Sequence, residues 1–354
     1  MSEVDSILIV KTGALGDVLR TTAILPGLFE RYPGAQVTWV VAEDALPLVE
    51  GRGEVEGRVL DLDRPEEVIE ALSGRRFSLV ASLDEEEACC RLAGAVEAER
   101  FVGAHFNEDG EPVYTEDSNA WFDMSLISRL GRARADELKT LNQRTHPALL
   151  ASALGIKEGR PELSLSPEEE ASAARRWEDE GLTSAGLVIG LNTGAGGRWP
   201  SKELDVARTI ETARAIFEGA QRELAFLVLG GPEEEERNDE ILEGLRRAGL
   251  QAASGGCSNT LREFAAIVSR CDLVIASDSF CLHVAVARRA PAVAFFAPTS
   301  AAEIELYGTG QKVTSTAPDY CSYRPDADSS TITPARLACA ALEVLKQRAE
   351  EASG

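Results

Sequence analysis

The chain has 354 residues, of which 44% are hydrophobic, and a formal net charge of −23 at pH 7. This length predicts two domains, because a single hydrophobic core stops growing at about 250–300 residues. The ordinary apolar content argues against a largely disordered protein. The acidic balance argues against nucleic acid as a partner, because such binding neutralises phosphates with Lys and Arg. It also limits any membrane contact to a local, peripheral one.

The N-terminus and the cysteines bear on the cellular compartment. Ser2, Glu3 and Asp5 precede the first apolar run, where a secretory signal would carry basic residues. No apolar run in the sequence reaches the roughly 20 residues that cross a bilayer. The seven cysteines show no paired C-x-x-C spacing, which argues against a zinc site and for reduced thiols. We therefore expect a cytoplasmic protein.

The first half of the chain alternates short apolar runs with helical patterns. Strands are predicted at 6–12, 36–43, 58–63 and 77–84, and helices at 18–32, 45–51 and 65–74. Such alternation is typical of a parallel sheet flanked by helices. The pattern loosens from 107 to 121, which predicts a flexible loop on the acceptor side, and helices follow at about 121–154.

The second half repeats this organisation. The order Ser-Pro-Glu-Glu from Ser166 offers an N-cap and a proline at the first helical position. Four buried strands are predicted at 186–194, 223–232, 273–278 and 291–298, and a last amphipathic helix begins at about Pro334, packing on one domain or bridging both. We therefore predict an N-terminal domain at 1–165, a C-terminal domain at 166–335, and a C-terminal helix and tail at 336–354.

Ligands of open parallel sheets bind beyond the carboxyl ends of the strands, and the first such loop here is GALGD. Gly13 and Gly16 let a ligand approach the backbone, and Asp17 follows at the start of a helix. Asp17 is either an exposed functional carboxylate or a residue that only stabilises the helix N-terminus. The loop lacks the order G-x-G-x-x-G, which argues against a nicotinamide or flavin dinucleotide site.

Three loops of the second half are candidates for binding a nucleotide. In NTGAGGRWPSKEL, Thr193, Gly194, Arg198 and Lys202 combine amides, a hydroxyl and cations suited to a diphosphate, although a plain flexible turn has the same composition. In GGPEEEER, most of the four glutamates are expected to be solvated helix-start charges, and one of them is a candidate for binding ribose or a base. In SDSFCLH, Asp278 and Ser279 end a strand, and His283 is either catalytic or a hydrogen-bonded core histidine.

Taken together, these loops resemble glycosyltransferase family 9, the ADP-heptose:lipopolysaccharide heptosyltransferases. ILIVKTGALGDVLRT resembles the N-terminal signature of the family, whose proposed catalytic base matches Asp17, and Lys11 also matches its position there. NTGAGGRWP resembles the donor-phosphate loop, GGPEEEER the nucleoside-binding motif with Glu234 at the matching position, and SDSFCLH the motif D-T-G-x-x-H. Lys11, Gly13 and Arg20 are assigned to the acceptor side.

The resemblance implies a GT-B fold, in which two Rossmann-like α/β domains face each other across a cleft. It implies an inverting transfer of a heptose-like sugar from an ADP-sugar to a hydroxyl of a glycolipid or other glycan, in lipopolysaccharide core or related cell-surface synthesis. No D-x-D carboxylate pair stands at a motif position, so we expect no metal and no other cofactor. The location implied is cytoplasmic, with peripheral contact at the inner face of the membrane.

Two positions depart from the family pattern and bear on the donor site. The lysine that the family usually places two residues before the tryptophan is Gly197 here, so a cation for the diphosphate would come from Arg198 or Lys202. The family's Thr-Gly is Ser279-Phe280, which keeps a hydroxyl but adds bulk. Two alternatives stay open: a sugar-nucleotide epimerase of the same build, and a non-catalytic descendant that binds a nucleotide or a protein.

Overall fold

A computed structural model describes residues 5–107, 109–125, 129–197 and 199–351. The chain divides into two compact units, Met1–Ser164 and Leu165–Gly354. This division falls one residue before the boundary predicted from the sequence. Each unit contains its own six-stranded sheet, and the strands alternate with helices along the chain.

The first unit contains six strands and eight α-helices in its described residues. They are β1 (Ser6–Val10), α1 (Leu15–Thr21), α2 (Leu25–Arg31), β2 (Gln36–Val41), α3 (Leu46–Val49), β3 (Val55–Val59), α4 (Glu66–Leu72), β4 (Arg76–Ser82), α5 (Glu87–Gly94), β5 (Glu97–Phe106), β6 (Pro112–Tyr114), α6 (Asn119–Phe122), α7 (Arg132–Leu141) and α8 (His146–Leu154). The sheet order is β3-β2-β1-β4-β5-β6, and all neighbours are parallel except β5 and β6.

The central strand of this sheet, β1, places two loops next to each other. β1 pairs with β2 on one side and β4 on the other, with Val10 opposite Val40 and Ser82. Its residues from Ile7 to Val10 are fully buried, as expected of a parallel strand covered on both faces. Because neighbouring parallel strands end at the same edge, the loops after β1 and β4 lie side by side.

The structure differs from the sequence predictions for one strand, one helix and one loop of this unit. The strand predicted at 58–63 is β3 at Val55–Val59. The helix predicted at 18–32 is two helices, separated by a 3-10 segment at Thr22–Ile24, and Pro26 stands in the first turn of α2, where its missing N–H costs nothing. The predicted flexible loop contains the antiparallel strand β6 and a 3-10 turn at Glu116–Ser118. The helices predicted at about 121–154 are confirmed as the short α6 followed by α7 and α8.

The second unit contains six strands and six α-helices in its described residues. They are α9 (Pro167–Asp179), β7 (Leu187–Asn192), α10 (Val206–Ala220), β8 (Leu224–Val228), α11 (Glu235–Arg247), β9 (Ala252–Ser254), α12 (Leu261–Val268), β10 (Leu273–Ser277), α13 (Phe280–Arg288), β11 (Ala292–Phe296), β12 (Gly310–Thr314) and α14 (Pro334–Glu351). The sheet order is β12-β11-β10-β7-β8-β9, with all neighbours parallel.

The predicted start of α9 is confirmed. The Ser166 hydroxyl accepts from the Glu169 N–H at 3.2 Å, and the Glu169 carboxylate accepts from the Ser166 N–H at 2.7 Å, which is a complete capping box. The same carboxylate pairs with Arg262 of α12 at 2.6 Å. This helix is therefore fixed to the second unit from its first turn.

The two edge strands of the second sheet, β9 and β12, were not predicted from the sequence. β9 has only three residues, and β12 is an edge strand that is mostly half-exposed, so neither shows the apolar run of a buried strand. The last helix, α14, packs on α10 and on strands β10, β11 and β12, with Leu337, Ala341 and Val344 in the core cluster of the unit. None of the helices in the described ranges combines the length and the apolar character that crossing a bilayer demands.

Candidate functional site

In the first unit, the loop between β1 and α1 carries the predicted base. Asp17 lies in the first turn of α1, and its carboxylate pairs with Arg20 of the same helix at 2.9 Å. The Asp17 side chain is 37% exposed and that of Arg20 is 13% exposed. The position suits an anion, because a helix N-terminus stabilises negative charge. Asp17 is thus a charged, accessible carboxylate at the carboxyl edge of the sheet.

Two further acceptor-side predictions, Gly13 and Arg20, lie on either side of Asp17. No atom lies within 4 Å of the place where a side chain at Gly13 would begin, so the loop is open there. The Arg20 guanidinium lies over the ring of Trp121, 5.9 Å from its centroid, and Trp121 meets His146 edge-on at 4.9 Å. Arg20 therefore joins the Asp17 carboxylate to an aromatic cluster.

Lys11, predicted as an acceptor-side residue, is buried in the first unit, and its acceptor-side role stays a prediction. It is 4% exposed, and its ammonium donates to the carbonyl of Gly13 and to the carboxylate of Asp84. Burial opposes its charge, but the nearby charges of Asp84 and Asp17 prevail and raise the pKa of Lys11. The lysine is therefore a buried cation at the start of the loop.

One group of possible metal ligands occurs among the described residues, and it does not fit a metal. Donor atoms of Asp84, Glu86 and Cys89 lie within 4.8 Å of one another. Both oxygens of Asp84 already accept hydrogen bonds, from Lys11 and from Thr12. Burial raises the pKa of the Cys89 thiol far above its usual range, which disfavours the thiolate that metal binding requires.

In the second unit, the loops after β7, β8 and β10 meet at the carboxyl edge of the sheet. The Ser277 hydroxyl donates to the Gly194 carbonyl at 3.0 Å, and the Ser279 hydroxyl donates to the side-chain carbonyl of Asn192, also at 3.0 Å. Thr193 is 1% exposed, and its hydroxyl lies 3.0 Å from that of Thr209. The predicted residues of the first and last loops therefore belong to one network.

Glu234 binds two of these loops together. Its Oε1 accepts from the N–H of Gly196 at 3.3 Å, and its Oε2 accepts from the N–H of Gly231 at 2.9 Å. The side chain is buried, and a Cβ added to Gly194 would lie 1.6 Å from Oε1. Glycine at 194 thus makes room for this carboxylate. Contact of Glu234 with ribose stays a prediction.

Asp278 lies between two basic side chains. The Lys202 ammonium donates to the Asp278 carbonyl at 3.0 Å and to its carboxylate at 3.2 Å, and it lies 5.6 Å from the centroid of the Trp199 ring. His283 Nε2 lies 3.7 Å from the other carboxylate oxygen. Both the lysine and the histidine are thereby brought to the start of α13. Arg198 lies outside the described residues.

The two departures from the family pattern have local structural reasons. Gly196 and Gly197 have φ of 64° and 66°, a conformation that costs about 1–2 kcal/mol for a residue with a side chain, so a lysine at 197 would be strained. The Phe280 ring stacks on Phe264 of α12, with centroids 6.1 Å apart. Its bulk is therefore partly taken up by the neighbouring helix.

Two residues of these networks were missed in the sequence. Asp84 follows β4, the strand next to β1, and an aspartate at the end of a buried strand was the available signal. Arg237 stands within the acidic run of α11, and its guanidinium donates to the Thr193 hydroxyl at 2.8 Å and to the Leu204 carbonyl. Nothing in the run itself indicated that this arginine holds the loop after β7.

Comparisons with known proteins identify the family and the fold of this chain. The model of glycosyltransferase family 9 (heptosyltransferase) matches residues 129–330, more than half of the chain. No curated protein gives a significant match. A family 9 glycosyltransferase from Veillonella parvula is 20% identical with a TM-score of 0.74, and the alignment covers 98% of this chain and 99% of that one.

Two solved heptosyltransferases of E. coli share the fold. ADP-heptose lipopolysaccharide heptosyltransferase II is 17% identical with a TM-score of 0.63, over 97% of this chain and 99% of that one. Heptosyltransferase WaaC, solved with ADP-2-deoxy-2-fluoro heptose, is 18% identical with a TM-score of 0.55, over 98% and 99%. The predicted fold class, two α/β units as in GT-B glycosyltransferases, is confirmed.

Proposed function

Because the chain belongs to glycosyltransferase family 9, the heptosyltransferases, we propose that it transfers a heptose-like sugar from an ADP-sugar to an acceptor hydroxyl. The acceptor would be a glycolipid or other glycan of the lipopolysaccharide core or a related cell-surface polymer. We also propose that it works in the cytoplasm, with peripheral contact at the inner face of the membrane. The similar heptosyltransferase WaaC was solved with an ADP-linked heptose analogue, which supports this donor class.

The observation that carries the proposal is the network at the carboxyl edge of the second sheet. Three separate loops contribute Thr193, Glu234 and Asp278, and direct hydrogen bonds join each loop to at least one other. Nucleotides bind at this edge of open α/β sheets. The glycines of the loop after β7 would allow phosphate oxygens to approach backbone N–H groups.

Positive charge for the departing diphosphate would come from Lys202. An ammonium has three N–H donors, of which Asp278 accepts two, so among the residues that the structure describes one donor is left for a phosphate oxygen. The amides that begin α13 add the positive end of that helix. Lys202 would thus replace the lysine missing at Gly197, and with it we propose a reaction without a metal.

The chemical step would be a single inverting displacement. The acceptor oxygen forms a bond to the anomeric carbon while the bond from that carbon to the diphosphate oxygen breaks, and ADP leaves with the electron pair. The acceptor proton passes to the carboxylate of Asp17, which acts as general base. Asp17 suits this role because it is charged and accessible.

A thermal-shift screen of ADP-, UDP- and GDP-linked sugars tests the donor class. A ligand at 100 times its dissociation constant adds about 2.7 kcal/mol to the free energy of unfolding. We expect ADP-sugars to raise Tm and the other two classes to leave it unchanged. Stabilisation by UDP- or GDP-sugars alone would contradict the proposed donor. ADP release from ADP-heptose without a new glycoside would contradict transfer.

A further inference from the structure

The reaction proposed above uses Asp17 and leaves two buried charges without a role, Lys11 of the same loop and Asp84 of the neighbouring loop after β4. Lys11 and Asp84 form an ion pair whose side chains are 6% and 9% exposed. Replacing such a pair by apolar residues of similar volume is often neutral or stabilising. Stability alone is therefore a weak reason for this pair to lie at the entrance to the helix that carries Asp17.

One carboxylate holds the start of this loop. Asp84 Oδ1 accepts from the Lys11 ammonium, and Oδ2 accepts from both the N–H and the hydroxyl of Thr12, the latter at 2.8 Å. The same ammonium donates to the carbonyl of Gly13. Three consecutive residues are thus tied, directly or through Lys11, to a single side chain that follows β4.

The backbone of the loop is also fixed by both neighbouring strands. The N–H of Lys11 donates to the Val40 carbonyl at 3.1 Å, and the N–H of Ala42 donates to the Thr12 carbonyl at 3.1 Å. On the other side, the N–H of Leu83 donates to the Val10 carbonyl at 2.8 Å. The carboxylate of Asp84 therefore completes a rigid entry to α1.

The charge of Lys11 also acts on the proposed base, Asp17. The charge of Asp17 acts on Lys11 and contributes to its raised pKa, and electrostatic attraction is mutual. The Lys11 ammonium is bonded to the carbonyl of Gly13, four residues before Asp17, and from this position its charge attracts the Asp17 carboxylate. Other charged or titratable neighbours are Glu86, which acts on Lys11, Cys89, whose thiol is 3.8 Å from the Thr12 hydroxyl, and Arg20, which pairs with Asp17.

We propose that Asp84 is a positioning residue for the transfer reaction, acting through Lys11 and Thr12 to fix the loop that leads to Asp17 and to hold the Lys11 cation within electrostatic reach of its carboxylate. The inference rests on the proposed role of Asp17 as base. A misplacement of about 1 Å in a reacting group can cost roughly 100-fold in rate. The effect of Asp84 should therefore appear in kcat.

The test compares Asp84→Asn, Lys11→Met and the double variant with the wild-type protein. ADP release from ADP-heptose is measured with a heptose-deficient lipopolysaccharide core as acceptor, and ADP affinity is measured by calorimetry. Asp61→Asn, an exposed aspartate of the same unit, is the matched control. Each single variant leaves one buried charge without its partner, and the double variant removes both charges together.

We expect Asp84→Asn to lower kcat about 10- to 100-fold while the dissociation constant for ADP stays within about twofold. We expect both single variants to have a lower Tm and the double variant to recover most of it, because no unpaired charge remains. The kcat of the double variant should stay low. In Lys11→Met the fall of kcat/KM at acid pH should begin at a higher pH than in the wild type, because Asp17 loses a stabilising cation.

A double variant that recovers both Tm and kcat, with the wild-type pH profile, would show that the pair is only structural. If Asp84→Asn does not fold, the double variant and Thr12→Val, which removes one bond to the carboxylate and no charge, still decide the matter. Asp17→Asn separates the two proposals. Full turnover in Asp17→Asn refutes the base, whereas loss of turnover there with normal kcat in the Asp84 variants refutes only this inference.

Discussion

The fit between Gly194 and Glu234 gives the sharpest prediction for the donor site. A methyl group added in Gly194→Ala would lie 1.6 Å from Glu234 Oε1, where ordinary contacts are about 3.5 Å. The carboxylate must therefore move by about 2 Å, which breaks its 3.3 Å bond to the N–H of Gly196 and weakens the 2.9 Å bond to that of Gly231.

Hydrogen bonds to a charged group are worth about 1.5–3 kcal/mol each. We therefore expect Gly194→Ala to lower the free energy of unfolding by about 2–4 kcal/mol and to weaken ADP binding, because the loops after β7 and β8 separate. Urea unfolding and calorimetry with ADP measure the two effects. Gly231→Ala is the matched control, because no atom lies within 4 Å of its added Cβ, and we expect a change below about 0.5 kcal/mol.

A double-mutant cycle tests the reason for the effect. Glu234→Ala removes the atoms that the new methyl group would meet, so Gly194→Ala should cost little more in that background. An interaction energy of about 2 kcal/mol or more is expected from residues in direct conflict. If Gly194→Ala destabilises the Glu234→Ala variant as much as it does the wild type, the steric explanation is wrong.

Three further predictions concern charges. Lys202→Met should raise the dissociation constant for ADP about 10- to 100-fold through the loss of a charge-assisted contact, whereas Lys346→Met, a 77% exposed lysine of the same unit, should leave it unchanged. Asp17→Asn should lower kcat about 100-fold or more with ADP affinity kept; normal turnover would exclude it as base. The bonds of Glu169 to Arg262 and Ser166 lower its pKa, so its contribution to stability is present above about pH 4.5 and is lost as pH falls through the pKa of the folded state. In Glu169→Gln the free energy of unfolding in urea should therefore depend less on pH in this range. The same pH dependence in the variant and the wild type would contradict this.

Much of the fold was predictable because its central strands are buried on both faces. β1, β4, β7 and β10 are short runs made mostly of apolar residues and followed by turn residues, and the strands that carry the candidate loops were all found in the sequence. β9 and β12 were missed because short or half-exposed edge strands lack that signal. The strand β6 was missed because Pro112 and the polar residues around it are typical of a loop.

The site was predictable as a set of loops but not as a set of contacts. The positions of Asp17, Thr193 and Asp278 followed from their place at strand ends. The partner of Lys11 is Asp84, 73 residues away, and such a pairing depends on the strand order β1-β4, which the sequence pattern alone does not specify. The assignment of Lys11 to the acceptor side therefore included neither its burial nor its counter-charge.

The packing of α14 has a practical consequence for work with this protein. Leu337, Ala341 and Val344 of this helix belong to the same apolar cluster as Ile275 of β10 and Val293 of β11. Removing α14 from the carboxyl end would therefore expose the apolar residues on one face of the second sheet, and such a surface is prone to aggregation. Truncated variants of this protein should therefore keep the whole of α14.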